Sequence, residues 1–259
     1  MNANTDSHKQ NLPPTVIRLG LVSFFADVSS EMLYPITPIF LSLVLGASAF
    51  NLGLIEGLAE GVASLLKTYS GAWSDRLKKR KAFVWFGYLV AALAKPLVGG
   101  ASNWLQVLFA RSMDRFGKGV RSAPRDALLA ESVSPANLGA AFGWHRMMDT
   151  CGAALGPLLA ILFLHFYSQP QQIRWLYYLA VIPGLLAVLL VFSIQENQKN
   201  TNAQPPVPKA SIENVKFFSA FSSLGRAYKT YLVGWGFFSL ANSSDIFLLL
   251  KMQKLLINQ

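Results

Sequence analysis

One cysteine, Cys151, stands in 259 residues, which excludes an internal disulfide and any cysteine metal cluster. Three scattered histidines add no metal-ligand spacing, so no metal or other cofactor is expected. Charge is also scarce. Asp, Glu, Lys and Arg make up 14% of the chain, against about 25% in a soluble domain. Neither an HExxH nor a GxSxG arrangement with a supporting base occurs, so the chain is not read as an enzyme. Residues 1–15 lack an apolar signal core and carry Pro13-Pro14, which reads as a short cytoplasmic tail.

What remains is apolar. Hydrophobic residues form 53% of the chain, and they recur in runs near about 20 residues, the length that crosses a bilayer as a helix. This composition predicts an all-α polytopic membrane protein whose main partner is the lipid bilayer. The net charge of +10 does not indicate nucleic acid, because the cations lie in loops and inside apolar segments without a compact basic motif.

The first predicted span runs from Val16 to Gly46 and holds Asp27, Glu31, Pro35 and Pro38. The second covers Leu52–Trp73, the third Ala82–Gly100, and the fourth starts at Trp104. The fourth turns polar within two turns and leads into a cytoplasmic segment ending near Asn137. Leu138–Phe166 and Trp175–Ile194 complete a six-helix bundle over residues 16–194. Residues 195–229 hold Pro205, Pro206 and Pro208 and read as a solvated linker, whose Val215–Tyr228 stretch is mildly amphipathic. Residues 230–259 supply a seventh span. Its Phe237-Phe238 and Ser243-Ser244-Asp245 echo Phe24-Phe25 and Ser29-Ser30-Glu31 of the first, as a repeat restarting after six spans does.

Lys and Arg concentrate between spans two and three, four and five, and six and seven. That pattern places the amino terminus in the cytoplasm. The hairpin Asp75-Arg-Leu-Lys-Lys-Arg-Lys81 is its clearest marker, with five cations in seven residues.

Twelve charges fall within the predicted spans: Asp27, Glu31, Glu56, Glu60, Asp114 and Asp149 against Lys67, Lys95, Arg111, Arg115, Lys118 and Arg146. Each costs roughly 2.5–3.5 kcal/mol at a helix centre, so such residues pair or line a wet cavity. Asp27 with Glu31, Glu56 with Glu60, and Arg111 with Arg115 are each four apart and share a face. Asp27, Glu31, Glu56, Arg111, Asp114 and Arg115 are the candidates for a substrate or proton cavity. The basic face of span four suggests an anionic or zwitterionic substrate. His145 reads as a packing or cytoplasmic-end residue.

Three motifs carry a family resemblance. Gly71-Ala-Trp-Ser-Asp75-Arg76-Leu-Lys-Lys79-Arg80-Lys81 resembles the signature between spans two and three of the major facilitator superfamily, with Lys78 where that family has glycine. Arg111, with Gly117 and Gly119 downstream, resembles its fourth-span motif, although Asp114 and Arg115 replace a customary Gln and Gly. Gly152-Ala-Ala-Leu-Gly156-Pro157 resembles the fifth-span motif of proton-coupled exporters, without the trailing glycine pair. Residues 114–126 also look like those of a bacterial subfamily without a settled substrate.

The resemblance implies twelve helices in two six-helix halves, each built of 3+3 inverted repeats, with alternating access around a central site. It implies a small-molecule transporter of the bacterial inner membrane, exporting by proton antiport. Gly71, Asp75, Arg76, Arg80 and Asp126 would form a cytoplasmic gate, with Asp75 capping a helix of the other half and Arg76 pairing with Asp126. Arg111 would take part in proton coupling, and Gly152, Gly156 and Pro157 would let helices pack closely and bend. Against twelve spans this sequence stops after seven. The expectation is therefore a truncated chain, or one completed by a second half-transporter chain; the rival reading is a non-transporting remnant or membrane structural partner.

Overall fold

Prolines and capping side chains set the breaks in the helices. The structure is a computed structural model describing residues 12–167, 169–195, 224–241, 247–248 and 251–252. Most of the predicted tail and linker, the amphipathic stretch before residue 224 and the Ser243-Ser244-Asp245 echo lie outside these residues. The chain divides into two units, residues 1–197 and 198–259.

In the first unit α1 is Pro14–Glu31, opening on a proline whose missing N–H has no intrahelical partner to lose. Pro35 and Pro38 interrupt the ladder beyond it. The rod resumes as α2 (Ile36–Ile39) and a wide turn, Phe40–Val44, closed by Leu45 N–H on Phe40 O at 3.3 Å. Helix α3 (Ala49–Leu77) starts where Ser48 Oγ accepts from Asn51 N–H at 3.2 Å. It stops at Lys78, whose φ of 50° and ψ of 34° lie in the left-handed region. This is the position where the family signature carries glycine, the residue that adopts such angles without a Cβ penalty.

Helix α4 (Arg80–Gly99) follows at once. Helix α5 (Trp104–Glu131) is capped by Asn103, and α6 spans Leu138–Phe166. The sixth rod is α7 (Ile173–Leu179) and α8 (Val181–Phe192), offset at Ala180, three residues before Pro183. In the second unit α9 is Arg226–Ala241.

The polar stretch from Arg111 onward stays helical; α5 runs unbroken to Glu131. Its charges stay because neighbouring helices supply partners. Among the described residues four helical stretches are long and apolar enough to cross a membrane: Ala49–Leu77, Arg80–Gly99, Pro135–Phe166 and Pro170–Phe192. The first rod is broken and α5 is charged, so neither stands out by hydropathy.

Helix packing reveals the internal repeat. The close pairs are α1 with α6 and α8, α3 with α5, and α4 with α5, α7 and α8. Exchanging rods one, two and three for four, five and six maps every close pair onto another close pair. A bundle of two three-helix repeats has this property. Partners also advance together: Gly152 meets Asp27 and Gly156 meets Glu31 on α1, while Arg111 meets Glu56 and Arg115 meets Glu60 on α3. Both pairs therefore run parallel. The shared core joins Val16, Leu19 and Val22 of α1 to Val84 and Tyr88 of α4, Leu128 and Leu129 of α5, and Val188 and Val191 of α8.

Apolar burial does little to drive helices together in lipid, so close backbone approach carries the association. A Cβ on Gly152 would lie 2.6 Å from Phe24 O, and one on Gly119 would lie 2.8 Å from Ala63 O. A Cβ on Gly143 would meet nothing within 4 Å. Gly152→Ala is therefore expected to destabilise the bundle by about 1–3 kcal/mol through overpacking. Gly143→Ala, on the same helix, should be neutral or stabilise by up to about 1 kcal/mol. Thermal unfolding of the purified variants in detergent checks this; equal midpoints would show that the α1–α6 contact is not tight.

Candidate functional site

The site is built from α5. Arg111, Asp114, Arg115, Lys118, Arg121 and Arg125 recur at three- and four-residue steps and form a charged band along the helix. The band divides between two neighbours.

Toward α3 the charges pair. Arg111 Nη2 lies 2.8 Å from Glu56 Oε1, and Arg115 Nε lies 3.6 Å from Glu60 Oε2. The four-residue spacing on each parallel helix puts both pairs in register. Side-chain exposure is 11% for Arg111 and 17% for Glu56, so this pair is largely withdrawn from solvent. Ser70 Oγ adds a 2.9 Å bond to Gly119 O further along the seam.

Toward α1 and α4 the band opens on two adjoining cavities. The larger has Asp27 and Glu31 of α1 on one wall. Arg115, Lys118 and Arg121 of α5 form the opposite wall, with Lys95 of α4 and Asp114 between. The smaller is lined by Thr37, Lys95, Arg111, Asp114 and Tyr177, and shares Ser30, Lys95 and Asp114 with the first. Lys95 is buried and held by α1: its Nζ donates to Ser29 Oγ, which donates in turn to Ala180 O at the break in the sixth rod. Tyr177 OH and Thr37 Oγ1 are 3.0 Å apart. The Arg121 guanidinium lies over the Tyr88 ring at 4.2 Å.

A second polar cluster joins four helices. Ser23 Oγ of α1 is 2.8 Å from His145 Nε2 of α6 and 3.5 Å from Tyr88 OH of α4, and accepts from Arg125 Nη1 of α5 at 3.1 Å. His145 Nδ1 faces Asp149 Oδ2 at 3.4 Å. The Ser–His–Asp order does not make a nucleophile here. Ser23 is 1% exposed and its oxygen is already an acceptor for Arg125, so the cluster works as a polar junction.

Asp27, Glu31, Asp114 and Arg115 line the larger cavity, and Arg111 and Asp114 the smaller. Glu56 lines neither of these two, and its carboxylate turns to Arg111. Gly152 and Gly156 face α1 behind the two acids: a Cβ on either would lie 3.0 Å from the Cβ of Asp27 or Glu31 respectively. Pro157 follows inside α6.

The expected gate pairing is corrected. Arg80, not Arg76, reaches an acid near the end of α5, and the acid is Glu131, not Asp126. Arg80 Nη2 also holds Asp75 Oδ1 at 2.7 Å, so Asp75 closes the hairpin it belongs to. Asp126 pairs with its neighbour Arg125 at 3.0 Å. Five residues separate Asp126 from Glu131, about 140° around a helix of 3.6 residues per turn, so the two acids face different ways. Arg76 is exposed, and Gly71 approaches α5, where an added Cβ would lie 3.2 Å from that of Ala123.

Lys95, Arg121, Arg125 and the Ser23–His145 junction were not among the candidates. The three- and four-residue rhythm of α5 continues through Arg121 and Arg125 and is the signal that could have found them.

Residues 19–256 match the profile of the Major Facilitator Superfamily. The chain is 34% identical over 253 residues to an uncharacterised MFS-type transporter of Methanocaldococcus jannaschii, covering 97% of this chain and 60% of that one. It is 26% identical over 185 residues to a probable 4-methylmuconolactone transporter of Cupriavidus pinatubonensis, covering 68% of this chain and 41% of that one. A bacterial homologue of the human lysosomal transporter Spinster, inward-facing and unoccupied, superposes with a TM-score of 0.62 at 17% identity, covering 80% of this chain and 48% of that structure. The D-xylose-proton symporter gives 0.54 at 18% identity, covering 71% and 48%. The chain thus spans less than two thirds of each.

Removing Glu56 would leave Arg111 charged and unpaired in a low-dielectric seam. Glu56→Leu is expected to cost about 3–5 kcal/mol, whereas the double substitution Glu56→Leu with Arg111→Met should recover much of that loss. A double-mutant cycle on detergent-solubilised protein reads the coupling; additive effects would mean that the pair does not hold α3 to α5.

Proposed function

The chain belongs to the major facilitator superfamily, and we propose that it moves a small molecule across the bacterial inner membrane by alternating access, as a proton-coupled exporter. The observation that carries this reading is the ionisable cavity between α1, α4 and α5. Charged side chains inside a membrane bundle mark a translocated substrate or a proton path. A seam of fixed ion pairs would suffice to hold helices; an open space with carboxylates and cations on facing walls adds a place for cargo. The parallel pairs α1–α6 and α3–α5 are suited to rocking as units.

The amino terminus lies in the cytoplasm on this reading, because the cationic hairpin at residues 75–81 stays on that side. The domain plan follows: a cytoplasmic tail to residue 15, the bundle over 16–194, a cytoplasmic linker over 195–229 and a seventh span beyond. The bundle works opposite a second half-transporter unit, which closes the other side of the path. Arg111 couples the proton to transport: it borders the smaller cavity while its guanidinium is shared with Glu56. A proton delivered to Glu56 would loosen α3 from α5.

Inverted membrane vesicles from expressing cells test the reading. Respiration acidifies their lumen and quenches an acridine dye. A compound that enters in exchange for protons restores the fluorescence. A panel of small organic anions, cations and zwitterions should include at least one such compound, and Arg111→Ala should abolish the recovery while still inserting in the membrane. Retained proton-driven flux in that variant would sink the role of Arg111. No recovery with any compound would favour the rival, a non-transporting membrane partner.

A further inference from the structure

The charges along α5 are treated differently on its two sides. Facing α3, each basic group has its acid: Arg111 with Glu56 and Arg115 with Glu60. Facing α1, the matching acids exist but no ion pair forms. Among the described residues Asp27, Glu31, Lys118 and Arg121 take part in no salt bridge, although all four line the same cavity. Lys95, on the same cavity, donates to the neutral Ser29 hydroxyl and forms no salt bridge among the described residues. Arg121 Nη1 is a buried donor without an acceptor. Charges of both signs therefore line one cavity without closing an ion pair across it.

We propose that this cavity is a binding site for a zwitterion, with the cationic group of the ligand on Asp27 and Glu31 and its anionic group on Arg121 and Lys118. This rests on the transport reading and names the substrate class for it. A single-charge ligand would pair with one wall and leave the charges of the other without a partner. A zwitterion satisfies both and adds no net charge. The acids are set four residues apart on one face of α1, and the glycines behind them at 152 and 156 hold that face in place. Protons compete with the cationic group for the same two carboxylates, so binding weakens as the pH falls. The groups whose charges bear on Asp27 are Glu31 on its own helix, Lys95 of α4, Arg121 and Arg125 of α5, and Asp149 of α6.

The test uses purified protein in lipid nanodiscs and a charge-matched panel. Zwitterions of different charge separation are γ-aminobutyrate, 6-aminohexanoate and dialanine. Each is paired with its anion-only form (butyrate, hexanoate, N-acetyl-dialanine) and its cation-only form (butylamine, hexylamine, dialanine amide). Binding is read by thermal shift and calorimetry. At least one zwitterion should bind about tenfold or more tightly than both of its single-charge partners, equivalent to about 1.4 kcal/mol. Asp27→Asn with Glu31→Gln should remove the preference over the anion, and Arg121→Gln the preference over the cation. Circular dichroism and unfolding midpoints confirm that the variants fold, and the preserved Glu56–Arg111 seam makes this the expected result. If no zwitterion binds, or an anion binds as well as its zwitterion, the proposal is overturned. Zwitterion binding without proton-linked flux in vesicles would instead overturn the transport reading and leave the site. Proton-linked flux of an anion alone would do the reverse.

Discussion

A charge inside a membrane bundle must find an opposite charge or a wet space, and that constraint organises this molecule. The pairing of α3 with α5 answers it in one way. Glu56 and Glu60 carry the same spacing as Arg111 and Arg115, and parallel helices in register bring both pairs together at once. The seam lets α5 carry a polar sequence at bundle depth without unwinding. With α5 fixed, its other charged face is held against α1 and α4, and there the second answer appears, a cavity. One helix thus serves as structural post and as cavity wall.

Small residues make the geometry possible. Gly117 and Gly119 let α5 approach α4 and α3, and Gly152 and Gly156 let α6 approach α1. Because the two parallel pairs are related by the internal repeat, close contact on one side has its counterpart on the other. The hairpin between α3 and α4 obeys a different constraint. Lys78 takes left-handed angles that glycine would take more cheaply. The turn therefore keeps the conformation that the family glycine allows, while the lysine adds a cation to a loop whose charge sets orientation.

Much of this was legible in the sequence. Apolar run lengths marked the rods, because crossing a bilayer demands a minimum number of apolar residues. The three motifs led to the family, and the four-residue spacing of acids and bases anticipated that an acidic face and a basic face would meet. What was missed has a common cause. Hydropathy averages over a helix, so it does not mark α5, whose charged faces are met by α3 on one side and by a cavity on the other. Spacing shows that residues share a face but not which neighbour the face meets. It therefore does not give Glu56 its partner Arg111, and Asp126 was preferred to Glu131 without the rotation between them. The Ser23–His145 junction draws on four helices far apart in sequence, and no local pattern announces such a meeting.

The proposed ligand class also bears on the direction of transport. A purely anionic cargo on the basic wall of α5 would be helped by protonation of Asp27 and Glu31, since neutral acids no longer oppose it. Proton and cargo would then bind together, the linkage of a symporter. A cargo whose cationic group needs those acids ionised is excluded by the proton, and mutual exclusion is the linkage of an antiporter. The acidic wall of α1 is thus what would let a basic cavity export against a proton. Without Asp27 and Glu31, the α1 wall would offer no carboxylate to proton or cargo, and either linkage through it would be lost.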